Sequence, residues 1–265
     1  MGMKRRLVTP IATIASIAAL VLTVTACSSS STPVQPAALE SVKISGHPEW
    51  PPIMYRSGAV IDGAGAALAG RIFADLDLRT TFPYSGTWDE VQAKARSGEV
   101  DVLVAAYKTT DRLTYMLYSD PYTTDPVALF VAKGKPFPFD TWNVLVGKKG
   151  VAMIGDSYGQ QFDDFAAASL QLIRATTAAQ AFNLVATGQA DYFIYSLYAG
   201  NDQLKKTGET SKFESLPKFV AEEPFYITIS KKSPFVIYLD QINKAIAKYK
   251  ADGTVNALIA QYSNR

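Results

Sequence analysis

Apolar and polar positions along this chain switch between two periods. Residues 41–45 (SVKIS) alternate one by one, as a strand with one buried face does. Residues 64–76 place Leu68, Ile72 and Leu76 on one helical face. Residues 78–82 read as a strand, and 88–97 as a helix stopped by Gly98. The run 100–106 is continuously apolar, the mark of a parallel strand buried on both faces. This β-α-β order predicts an α/β lobe around a mainly parallel sheet. A strand at 127–132 follows, and then GKPFPFD (134–140) interrupts the pattern. A second set comes after it: strand 150–154, helix 157–172, helix 177–187 and strand 191–195. Residues 225–230 alternate again. A helix over 234–252 puts Leu239, Ile242, Ile246 and Tyr249 on one face, Gly253 stops it, and Thr254 caps a last short helix to 262.

The first residues follow neither period. Lys4, Arg5 and Arg6 precede a mostly apolar stretch over 7–26, the layout of a secretory signal. Thr9, Thr13, Ser16, Thr23 and Thr25 interrupt that stretch, so an uncleaved membrane anchor ranks second. It ends Leu22-Thr23-Val24-Thr25-Ala26-Cys27, which resembles the bacterial lipobox. The resemblance implies that residues 1–26 are a signal peptide and that Cys27 is lipidated. Residues 28–39, SSSSTPVQPAAL, read as a flexible tether, so 27–40 is a lipid-anchored linker.

With 48% hydrophobic and 19% charged residues in 265, the chain has ample material for a core and is not a disordered protein. The net charge is +2. Without residues 1–26 there are 23 basic side chains against 24 acidic ones, which disfavours nucleic-acid binding. One Cys and one His exclude an internal disulfide and a Cys/His zinc site, and no metal or cofactor is expected. There is no G-x-S-x-G and no phosphate-binding glycine motif; Gly63-Ala64-Gly65 lacks the third glycine of a dinucleotide fingerprint.

Several short segments carry the functional signal through their order and spacing. They are Trp50-Pro51-Pro52-Ile53, then Ile61-Asp62-Gly63, Gly98-Glu99-Val100-Asp101, Thr109-Thr110-Asp111-Arg112 and Ser119-Asp120-Pro121-Tyr122. In the second half come Gly155-Asp156-Ser157, Gly188-Gln189-Ala190-Asp191 and the helix end from Lys248 to Gly253. Together, over about 41–262, they resemble the family 3 extracellular solute-binding proteins, the amino-acid-type substrate receptors of ABC importers. The resemblance implies a two-lobed, periplasmic-binding-protein-like (type II) α/β fold with a ligand cleft between the lobes. Two crossing strands would join them near 131–135 and 222–226. Lobe 1 would comprise 41–132 plus 226–265, and lobe 2 residues 133–225.

What the resemblance implies for binding falls on named residues. Arg112 would grip a carboxylate through two parallel hydrogen bonds, with Thr109 beside it. Trp50 and Tyr107 would shape the side-chain pocket. Ser157 and Tyr158 would face them from the other lobe, at the positive start of a helix. The family's second Asp, which meets a ligand's α-ammonium, is replaced by Ser196. The ligand is then either a carboxylate without a free amine or one whose amine is held elsewhere, for instance by Asp156. His47 reads as a turn or cleft-rim residue. The expected protein is a monomeric, lipid-anchored receptor in the cell envelope that serves a permease and is not an enzyme. The alternatives are a cyclohexadienyl-dehydratase-like enzyme on the same fold and a ligand-sensing or scaffolding lipoprotein.

Overall fold

A computed structural model describes residues 41–263. The expected signal peptide, Cys27 and the linker lie outside the described residues. The chain begins with β1 (Val42–Gly46), a small meander of β2 (Glu49–Trp50), β3 (Met54–Ser57) and β4 (Val60–Asp62), and α1 (Ala64–Ala74). Next come β5 (Thr80–Thr81), α2 (Trp88–Ser97), β6 (Val102–Val104), α3 (Thr110–Leu113) and β7 (Met116–Tyr118). The second set is β8 (Thr123–Ala132), β9 (Lys149–Met153), α4 (Gln160–Ser169), β10 (Gln171–Ala175), α5 (Ala178–Ala186), β11 (Tyr192–Ser196), α6 (Leu197–Thr207), β12 (Phe213–Ser215) and β13 (Ala221–Phe225). Then β14 (Ile227–Ser230), α7 (Leu239–Ala251) and α8 (Thr254–Ser263) follow.

Two larger sheets organise these elements. The first runs β5-β1-β6-β14-β7, with β1 parallel to both β5 and β6, and β14 antiparallel to its neighbours. The continuous apolar run around β6 is explained by burial on both faces. Val102 and Val104 join the main core with α1, while Leu103 packs with Trp88, Val91 and Ala95 of α2. A capping box holds the start of α2: Thr87 Oγ1 accepts from Glu90 N, and Glu90 Oε2 accepts from Thr87 N. The C-terminal helices α7 and α8 return to pack on α1.

The second sheet runs β10-β9-β11-β8-β12, with β13 also paired to β8. Its central strand β8 carries Val127 to Val131 with no exposed surface. Helix α6 approaches β8 closely through Gly200, where a Cβ would lie 2.3 Å from the Phe130 ring.

The chain passes between the sheets twice. The outward passage is at 119–122, between β7 and β8, and the return is at Tyr226, between β13 and β14. The two passages are hydrogen-bonded side by side: Ser119 N donates to Ile227 O, Ile227 N to Ser119 Oγ, and Tyr122 N to Phe225 O. The outward passage was expected near 131–135. Those residues lie instead at and beyond the far end of β8, because the buried run 127–131 pairs with β11 and β12 of the second sheet.

The expected helix 157–172 also divides. Gly159, at φ 93°, precedes α4, and Leu170 is extended, so residues 171–175 become an edge strand parallel to β9. Among the described residues no helix is long and apolar enough to cross a membrane.

Candidate functional site

In parallel α/β sheets, side chains beyond the C-terminal strand ends converge on a crevice. Here β1 leads to His47, β6 to Ala105 and Tyr107, and β9 to Gly155, Asp156 and Ser157. Residues from both sheets enclose a space of about 10 Å³ lined by Arg112, Trp50, Trp88, Tyr107, Asp156 and Ser157, together with His47 and Ala105. That is room for about one water. Ala105 is one of two non-glycine residues among the described ones with positive φ, at 64°. Such strain is characteristic of binding sites. A groove of about 510 Å³ adjoins the enclosed space and shares His47 and Trp88 with it.

Arg112 is 5% exposed and sits on α3, whose N-cap Thr109 accepts the Arg112 N–H at 3.2 Å. Its Nε donates to Gln92 Oε1 at 2.8 Å, Nη1 to Tyr107 O at 3.0 Å and Nη2 to Gly155 O at 3.2 Å. The guanidinium also lies 5.2 Å from the Trp88 ring centre. Three of its five N–H groups are thus committed, which leaves one on each terminal nitrogen for a planar anion.

Gly155 lies in the turn that follows β9 of the second sheet, so Arg112 bridges the crevice. Other bonds cross it as well. Gln92 Nε2 donates to Gly155 O, Thr110 N to Gln160 Oε1, Ala178 N to Glu49 Oε2, and the Tyr195 hydroxyl to Glu49 O. His47 Nε2 meets Asp156 Oδ1 at 3.0 Å. The sequence suggests a turn or cleft-rim residue at His47; it is 5% exposed, edge-on to the Trp50 ring and tilted against the Trp88 ring.

The residues predicted from the sequence divide into two groups. Trp50, Tyr107, Arg112 and Ser157 line the enclosed space. Thr109, Tyr158 and Ser196 are not among its lining residues. Thr109 caps α3, and the Tyr158 hydroxyl accepts from Met153 N inside the second sheet's core. Ser196 is fully buried, caps α6 by accepting from Ala199 N, and donates to Asp125 Oδ1 at 2.8 Å. Ser157 lies three residues before α4 rather than at its first turn. Its hydroxyl donates to Asp163 Oδ2 and accepts from Gly159 N.

Asp125 had no motif to mark it in the sequence, yet three of the predicted residues converge on it. Trp50 Nε1 donates to its Oδ2 at 2.9 Å, the Tyr107 hydroxyl donates to the same oxygen at 2.6 Å, and Ser196 donates to Oδ1. Burial pushes the Asp125 carboxyl up to about 6 despite these three donors. The same burial, together with the Asp125 charge, pushes the Tyr107 hydroxyl well above its ordinary range. Asp125 lies on β8 just past the outward passage, so the aromatic wall of the first sheet is anchored to the second.

Comparison with known proteins agrees with this architecture. Residues 42–265 match the bacterial extracellular solute-binding proteins, family 3. PatH of Vibrio harveyi, a protein named for amino-acid ABC transporter binding, is 30% identical over 173 residues, 63% of this chain and 66% of that protein. The L-cystine-binding protein TcyJ of Escherichia coli strain K12 is 25% identical over 175 residues, 64% of this chain and 63% of that protein. The chain therefore spans just under two thirds of the length of these relatives. A mutant of ArgBP from T. maritima has the same fold, with a TM-score of 0.71 at 20% identity, covering 85% of this chain and 96% of that one. The family match over nearly all described residues, on two sheets joined by two adjacent passages, makes this chain a member of family 3 of the bacterial extracellular solute-binding proteins, with the type II periplasmic-binding-protein fold.

Proposed function

We propose that this protein is the extracytoplasmic substrate-binding component of an ABC importer, held to a membrane through lipidated Cys27. Lobe 1 is built on the first sheet and lobe 2 on the second. A small carboxylate of the amino-acid type binds between them and favours the closed arrangement by its contacts to both. Arg112 holds the carboxylate, Ser157 offers its backbone N–H from the opposite lobe, its hydroxyl proton being committed to Asp163, and Trp50, Trp88 and Tyr107 form the walls. The observation that carries this reading is the position of Arg112. It is a buried guanidinium at the lobe junction, fixed by Gln92 and two carbonyl oxygens, with donors left over. Such a group is suited to planar bidentate recognition. The relatives are named for binding rather than turnover, which supports a receptor over an enzyme.

The test is calorimetric titration of the full chain with the twenty L-amino acids and L-cystine, repeated on Arg112→Ala. The variant is expected to lose about 2–4 kcal/mol of binding free energy, since a desolvated carboxylate loses its charged partner. Unchanged affinity removes Arg112 from the site. Chemical conversion of the bound compound, followed by chromatography, contradicts the receptor reading itself.

A further inference from the structure

Asp125 sits where the two lobes meet. It lies on β8 just past Tyr122, the end of the outward passage, and is 1% exposed. Its donors come from both sides. Trp50 on β2 and Tyr107 beyond β6 belong to lobe 1, and both donate to Oδ2. Ser196, at the end of β11 in lobe 2, donates to Oδ1. Among the described residues no ion pair includes Asp125. A carboxylate with neutral donors and no cation is comfortable in water and costly in a closed interior.

The neighbours fix which group can change its charge. Tyr107, Tyr122 and Tyr195 all feel the Asp125 carboxylate, and burial pushes their hydroxyls well above the ordinary range, so they stay neutral. On β13, Phe225 stacks on the Tyr107 ring at 5.2 Å. Glu223 on the same strand stands opposite Asp125 in the β8–β13 register, and burial and the Asp163 charge raise its carboxyl. Asp125 itself is pushed up to about 6 by burial, against the opposing effect of its three donors.

The geometry points to Asp125 as a proton-operated latch between the lobes: protonated, it favours the closed arrangement, and ionised, it favours their separation. This assignment rests on the lobe-closure reading given above and adds its regulation by acidity. A proton on Oδ1 reverses the Ser196 contact, the carboxyl then donating to Ser196 Oγ, and leaves both lobe 1 donors on Oδ2. Parting the lobes draws Trp50 and Tyr107 from Oδ2 and admits water, which suits the anion. The closed form therefore binds the proton more tightly. Acid favours closure, and that support is lost as pH rises through about 6.

The experiment titrates the full chain and Asp125→Asn with the twenty L-amino acids and L-cystine at about pH 5 and about pH 7.5. A compound that binds the closed form should bind the wild type about tenfold more tightly at the lower pH, the factor for a carboxyl at about 6 closed and 3.8 open. Asp163, Glu223 and the His47–Asp156 pair are present in both proteins, so the difference between them isolates Asp125. The ratio of affinities between the two pH values should be about tenfold larger in the wild type than in Asp125→Asn. Equal ratios overturn the latch and leave the receptor standing. If Asp125→Asn does not fold, Tyr107→Phe decides. It removes a donor to the anion, so the pH midpoint of the affinity should rise, and an unmoved midpoint overturns the latch. If no compound binds, the receptor reading fails. Small-angle X-ray scattering then decides the latch: the wild type should have a smaller radius of gyration at the lower pH, and equal radii overturn it.

Discussion

Asp125 offers the sharpest test of how the crevice is built. Asp125→Ala removes the acceptor of the Trp50 indole N–H, the Tyr107 hydroxyl and the Ser196 hydroxyl at once. The two hydroxyls can rotate toward other acceptors, but the indole N–H cannot. A buried donor left without a partner costs about 1–3 kcal/mol, and the vacated volume adds to that, so a loss of about 4 kcal/mol is expected at pH 4, where the buried carboxyl is protonated, and less at pH 7. Asp125→Asn keeps the shape and isolates the charge. The native carboxyl is raised from 3.8 to about 6, so the fold prefers the protonated form. Its stabilising effect is complete below about pH 3.8 and is lost as pH rises through 6. At about 1.4 kcal/mol per unit the whole shift is worth about 3 kcal/mol, of which about 2.4 kcal/mol is lost between pH 4 and 7. Asp163 and Glu223 are also raised by burial and titrate in both proteins, so the difference between wild type and Asp125→Asn isolates Asp125. Urea denaturation followed by tryptophan fluorescence at four pH values measures it. Relative to the wild type, Asp125→Asn should gain about 2.4 kcal/mol from pH 4 to 7. A pH-independent difference, or an alanine variant within 1 kcal/mol of wild type at pH 4, refutes the reasoning.

Other outcomes follow from local geometry. Gly159→Ala should destabilise the fold by about 1–3 kcal/mol in urea, because φ is 93° and the new Cβ would lie 2.0 Å from Glu223 Oε1; a change under about 0.5 kcal/mol contradicts this. Thr87→Ala should cost about 1 kcal/mol by removing half of the capping box on α2, with no change in ligand affinity by calorimetry. Arg112→Lys retains the charge but cannot reach Gln92, Tyr107 O and Gly155 O together, so binding should weaken about as much as in Arg112→Ala; near-native affinity would reduce the role of the planar fork to a point charge.

Helices with a clear apolar face were legible in the sequence. α1 buries Leu68 and Ile72, and α7 buries Ile242, Ile246 and Tyr249, as their spacing predicts, while Leu76 falls beyond α1 and Leu239 is half-buried. Elements whose partner is remote were not. β10 carries Leu172 and Ile173 among exposed neighbours, and only its pairing to β9 makes it a strand. α6 begins LYAGNDQ, with three buried residues in all, and is held by its contact with β8. The meander β2–β4 consists of strands of two to four residues, too short for periodicity to register. The run 127–132 was recognised as a strand but placed in the wrong sheet, since an apolar run does not reveal its neighbours.

The site shows the same division. Arg112, Trp50, Tyr107 and Ser157, which the motif spacing singles out, line one space in the fold. Asp125 stands alone in TTDPVAL, where the one available sign was an acid at the head of a buried strand. The pairing of His47 with Asp156 joins residues 109 positions apart and exists only across the lobe junction.

The central claim, that the cleft binds a small amino-acid-type carboxylate, is tested most directly by thermal unfolding of the full chain with each of the twenty L-amino acids and L-cystine. A ligand at about 100 times its Kd should add about 2.7 kcal/mol of stability. For a domain of this size that is a rise of about 5–10 °C in Tm. The account predicts such a rise with at least one of these compounds and its loss in Arg112→Ala. An unshifted Tm across the whole set, or a shift that survives Arg112→Ala, contradicts it.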